Sequence, residues 1–61
     1  MMSISYACGV LDSLSDPNGI EHSEKTIMSA IQIALTDDGH NVKKKDLRNG
    51  LQWLYRKVSG E

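Results

Sequence analysis

The chain has 61 residues, of which 39% are hydrophobic and 25% are charged, with a formal net charge of −1. This length allows one domain, and a domain this small buries only about 60% of its unfolded surface, so disulfides, metal or association usually add stability. One cysteine excludes an internal disulfide, and no apolar run is long enough to span a membrane, so we expect a cytoplasmic domain that self-associates or binds a partner.

The hydrophobic pattern predicts an all-α fold of three helices. Phe is absent, so the core must come from aliphatic residues, which suits helices better than sheets. Two turn-forming segments, Asp16–Gly19 and Asp37–Asn41, divide the chain into three periodic parts. The predicted helices cover residues 3–16, 20–36 and 42–58, followed by a frayed tail at 59–61.

The first two predicted helices each have one apolar face at helical spacing. The face of the first consists of Ile4, Ala7, Cys8, Leu11 and Leu14, with Val10 beside them. The face of the second consists of Ile27, Ala30, Ile31, Ala34 and Leu35, widened by Met28. Either Ser23 or Asn18 could cap the start of the second helix.

The third predicted helix carries a narrow stripe with the spacing of helix-on-helix packing. Its members are Leu47, Leu51, Leu54 and Val58. Trp53 lies roughly 100° away from this stripe, close to Gly50. A glycine costs a helix about 1 kcal/mol relative to alanine, so Gly50 indicates close approach by another helix or another chain.

Metal binding and catalysis are not expected from this sequence. The candidate ligands lack the spacing of known metal motifs: Cys8, His22, Asp37, Asp38 and His40. A chain this short is also expected to be too small for a pocket of the usual ~300–1,000 Å³. We therefore predict a protein that is not an enzyme and has no cofactor, metal or small-molecule substrate.

Residues away from the main apolar faces form a candidate interface, centred on Trp53. They are Trp53, Gly50, Val42, Ile33 and Tyr6. Trp and Tyr are common anchors of protein interfaces. We expect a homodimer or higher oligomer that also binds another protein, as a small regulator, inhibitor or adaptor. Many phage and mobile-element proteins of this size act in that way, which is an argument from class and not from a motif.

DNA binding by the third helix is the alternative hypothesis. Residues 1–42 carry six acids and one lysine, whereas residues 43–61 carry six bases and two acids. The side chains that could reach phosphates or bases are Lys44, Lys45, Arg48, Asn49, Gln52 and Arg56. A solvated helix face explains the same residues, the pI of 6.0 is low for a DNA-binding domain, and a turn of about seven residues exceeds the usual 3–4.

Overall fold

A computed structural model describes residues 2–37, 39 and 41–60 of the chain. This part contains three α-helices and no strand: α1 Ile4–Ser13, α2 Glu24–Leu35 and α3 Lys44–Val58. The predicted all-α fold of three helices is confirmed. None of the three described helices combines the length and the apolar composition of a membrane span. Asp38 and His40, weighed above as metal ligands, and Glu61 of the predicted tail lie outside the described residues.

Serine side chains define the starts of the first two helices. The Ser3 hydroxyl accepts a hydrogen bond from the Tyr6 N–H, and the Ser23 hydroxyl accepts one from the Thr26 N–H. These bonds satisfy N–H groups that the first turn of a helix leaves free. Of the two caps considered for the second helix, Ser23 is the one used, so α2 begins at Glu24 and not near residue 20.

The three helices alternate in direction. Lys45 of α3 pairs with Asp12 of α1 at 3.2 Å, and Asn49 bonds to Ser15 just beyond the end of α1, so these two helices run the same way. Lys57 pairs with Glu24 at 3.0 Å, and Gly50, two turns earlier in α3, lies against Ile31, two turns later in α2. Because residue numbers rise along α2 as they fall along α3, α2 is antiparallel to α3. The described residues form an up-down-up bundle.

Among the described residues, the buried apolar side chains all belong to α1 and α2. They are Ala7, Val10, Leu11, Ile27, Ala30, Ile31 and Ala34. All seven belong to the apolar faces that the sequence pattern predicts for these helices. Ile4, Met28 and Leu35 were predicted on the same faces, but each is exposed. Met28 and Leu35 lie at one edge of an arc on α2 that is wider than its contact with the neighbouring helices, and Ile4 is the first residue of α1.

The orientation of α3 differs from the sequence prediction. Its buried residues are Asp46 and Gly50, not the leucine stripe, and Leu51 and Val58 are exposed. A Cβ at position 50 would lie 2.9 Å from Ile31 Cγ1, which shows how closely α3 approaches the core there. Only a residue without a side chain allows this approach. The helix is therefore rotated so that Gly50, with Trp53 beside it, faces inward.

Asp37 organises the connection between α2 and α3. Its carboxylate accepts hydrogen bonds from the N–H of Val42 at 2.8 Å and of Gly39 at 3.2 Å. The Asn41 side chain donates a third at 3.4 Å. Donation to the charged form, chiefly from Val42, holds the pKa of Asp37 below its ordinary value of 3.8. The loop is thus tied together by a group that stays ionised at neutral pH.

Candidate docking face

The exposed half of the leucine stripe and the outer edge of α2 form one apolar surface, here called the α2–α3 apolar face. Its members are Met28, Leu35, Leu47, Leu51, Leu54 and Val58. Leu47 and Leu54 are half-buried and pack against the core. The other four are exposed, by 43%, 59%, 44% and 81% for Met28, Leu35, Leu51 and Val58. Large side chains exposed together, and not singly, are typical of interaction surfaces.

Helix periodicity places these residues on one side of the bundle. On α3, Lys45 and Asn49 contact α1, and the leucine stripe lies on the flank opposite to them. On α2, Met28 and Leu35 lie on the same flank as Glu24, which pairs with Lys57 of α3. The antiparallel register then sets Leu35 near the start of α3 and Met28 near its second half. The two flanks therefore meet along the line between α2 and α3.

Basic side chains border this face. Lys44 and Arg48 follow the leucine stripe on its solvent side one turn apart, and both are exposed. On α2, the exposed Lys25 lies beyond Met28. None of these three has an ion-pair partner within residues 2–37, 39 and 41–60. Glu24 lies on the same side, but its charge is already paired with Lys57.

The structure separates the five residues predicted to form an interface. Gly50 is buried against α1 and α2 of the same chain, so the close approach it permits is within the chain. Trp53, Val42 and Ile33 are half-buried and pack on the core. Tyr6 is exposed on another side of the molecule, where its ring meets His22 edge-on with centroids 6.2 Å apart. The five residues do not form one continuous surface.

The six residues predicted to contact nucleic acid divide into two groups. The half-buried Asn49 amide donates to the Leu11 carbonyl at 3.2 Å and so contributes to packing between α1 and α3. The other five are exposed: Lys44, Lys45, Arg48, Gln52 and Arg56. Lys45 differs from the rest of this group in forming an exposed ion pair with Asp12. Sequence reasoning missed the role of Asn49 because its bond crosses 38 residues of chain.

A surface groove of about 500 Å³ lies between α1 and the start of α3. Its lining includes the half-buried Cys8, the paired Asp12 and Lys45, and the buried Asp46. The groove is open to solvent, so it differs from the clefts that bury most of the surface of a small ligand. No cluster of three metal-binding side chains occurs among the described residues.

Asp46 is a buried carboxylate in the first turn of α3, with 5% of its surface exposed. The N-cap residue, Lys43, makes no side-chain capping bond. A negative charge here is favoured by the free N–H groups and the positive end of the helix dipole. Asp46 therefore stabilises the start of α3. This role explains why a charged residue occupies a buried position of the helix.

Comparison of the chain with protein-family models, with curated proteins and with solved structures finds no match. The functional argument therefore depends on the geometry of this chain. The α2–α3 apolar face is the feature that combines exposed apolar area with a charged border, and both properties are typical of surfaces that bind proteins.

Proposed function

We propose that the chain is a small non-catalytic regulatory or adaptor protein that binds another protein through the α2–α3 apolar face. The observation that carries this proposal is the exposure of four large apolar side chains on one side of a bundle: Met28, Leu35, Leu51 and Val58. A single free cysteine supports the cytoplasm as its compartment. In this proposal the partner docks on the leucine stripe and not around Trp53, because Trp53 packs against the core.

The size of the face sets the strength of the interaction. Covering the exposed fractions of its four most exposed side chains stabilises a complex by about 5 kcal/mol, at 1.5–3 kcal/mol for each fully buried side chain. A partner of similar apolarity adds a comparable amount. Association itself costs about 4–15 kcal/mol, so the apolar contact alone supports a weak complex at most. Polar and charged contacts at the border must supply the rest.

Site-specific photocrosslinking tests this proposal. A benzophenone amino acid replaces Leu51 in one variant and Leu35 in a second, and the control carries it at Asn18, an exposed residue of the α1–α2 connection. Irradiation in cells should give discrete adducts heavier than 6.8 kDa at positions 51 and 35 and none at position 18. Adducts should disappear from the position 35 variant when Leu51→Lys is added.

Two results would contradict docking at this face. One is the absence of adducts at both test positions although circular dichroism shows the helical content of the native chain. The other is equal labelling at all three positions, which indicates random collision. The mass of the adduct also distinguishes a crosslinked dimer of this chain from an adduct with a different protein.

DNA binding by α3 is the second candidate function. The observation that favours it is the exposure of five of the six residues predicted to contact nucleic acid: Lys44, Lys45, Arg48, Gln52 and Arg56. Against it, the connection between α2 and α3, residues 36–43, is longer than the usual turn of about 3–4 residues in a helix-turn-helix. A labelled 20-base-pair duplex should bind at 50 mM salt and weaken steeply by 200 mM, and Arg48→Ala with Gln52→Ala should remove specific binding. No binding at 50 mM salt ends this candidate.

A further inference from the structure

The charges around the α2–α3 apolar face are mainly basic. Lys44 and Arg48 border it on α3, and Lys25 borders it on α2. Glu24 is the one described acid on the same flank, and it forms an exposed ion pair with Lys57 at 3.0 Å. Most other acids of the described chain lie elsewhere: Asp12 faces α1 and α3, Asp16 and Glu21 lie in the α1–α2 connection, and Asp37 is bonded within its own loop. The border is therefore basic on both of its long sides.

This border argues against a second copy of the chain as the occupant. Two such faces placed against each other would bring a basic border next to a basic border in either orientation, since both long sides carry lysine or arginine. Like charges that meet at an interface are unfavourable and exclude wrong partners. A partner with acidic side chains around its apolar surface would be attracted to this border, whereas a second copy would be repelled by it.

We propose that the face binds an acidic amphipathic helix of another protein, an inference that rests on the proposed function. The apolar side of such a helix would cover the line between α2 and α3, as in other helix-in-groove complexes. Lys44 and Arg48 are four residues apart, so acids spaced by one turn on the partner helix can face both. Lys25 meets acids on the opposite side of the same helix.

Designed peptides test the charge and the fold of this partner directly. The probe is a labelled, capped 18-residue peptide with leucine at every third or fourth position and glutamate on both flanks of the leucine stripe. Two matched peptides carry glutamine or lysine in place of every glutamate. Fluorescence anisotropy with the full chain at 50 mM salt should show the glutamate peptide binding most tightly and the lysine peptide most weakly.

Charge reversal on the protein provides the control. Arg48→Glu should weaken the glutamate peptide about 3- to 10-fold, the range for one or two rim ion pairs, and adding Lys44→Glu should make the lysine peptide the better ligand. Arg56→Glu makes the same charge change two turns along α3, on the flank towards α1, and should leave the order of the three peptides unchanged. All three side chains are exposed, so the variants keep the fold.

The outcomes separate this inference from the function on which it rests. Equal binding of the three peptides, or binding of none, overturns the acidic helix, whereas crosslinking at position 51 still tests the docking face. A dimer in light scattering that Leu51→Lys dissolves also overturns it, because the face is then covered by a second copy. Tighter binding of duplex DNA than of the glutamate peptide assigns the basic residues to nucleic acid and overturns it as well.

Discussion

The close approach of α3 to the core at Gly50 leads to a prediction with a built-in control. Replacing Gly50 with alanine places a Cβ 2.9 Å from Ile31 Cγ1 and 3.0 Å from Leu11 Cδ2. Both neighbours are fully or almost fully buried, so neither can move freely. Gly9, in the middle of α1, has nothing within 4 Å of the same added atom. Comparison of Gly50→Ala with Gly9→Ala therefore separates the cost of overpacking the core from the stabilising effect of alanine on the helix backbone.

The magnitudes follow from two opposing terms. Replacing a helical glycine with alanine stabilises the helix by about 0.5–1 kcal/mol, and this term acts at both positions. Overpacking a filled core costs about 1–3 kcal/mol, and this term acts only at Gly50. We therefore expect Gly9→Ala to raise the free energy of unfolding and Gly50→Ala to lie about 1–3 kcal/mol below it.

Urea and thermal unfolding followed by far-UV circular dichroism measure both variants. A difference of 1 kcal/mol corresponds to about 4–8 °C in Tm for a domain of this size. A double variant with Ile31→Ala should lose less from the added methyl group than Gly50→Ala alone does, because the nearest contact is gone. If Gly50→Ala is as stable as Gly9→Ala, the inward rotation of α3 inferred here is wrong.

Other predictions concern α3 and its preceding loop. Trp53→Ala should lower the free energy of unfolding, but by less than the about 3–5 kcal/mol that removal of a fully buried Trp costs. An unchanged Tm would show that Trp53 is not part of the packing. Asn49→Ala should cost about 1 kcal/mol in urea unfolding because it removes hydrogen bonds to α1, whereas the exposed Gln52→Ala should change stability by less than about 0.5 kcal/mol; equal losses would count against those bonds. The depressed pKa of Asp37 stabilises the fold at neutral pH, and this contribution falls as pH drops from 3.8 through the lower folded value. The protection factor of the Val42 amide, its exchange rate compared with the intrinsic rate at the same pH, should therefore fall in acid, and Asp37→Asn should remove that pH dependence.

Local pattern determined much of this protein. The three helices, the cap at Ser23 and the seven buried residues of α1 and α2 follow from helical spacing and serine chemistry, both of which act within a few residues of chain. The helices, the cap and the buried faces depend on neighbours along the sequence. The sequence also indicates a close approach at Gly50, but not which residues Gly50 contacts.

Tertiary structure alone decided which side of α3 faces inward. The leucine stripe and the Gly50–Trp53 side are both consistent with a helix packed on a core, and periodicity cannot choose between them. The choice depends on how closely α3 can approach Ile31 and Leu11, which a missing side chain permits and a leucine does not. That rotation exposes Leu51 and Val58 beside Met28 and Leu35 of α2. The candidate docking face therefore arises from contacts distant in sequence.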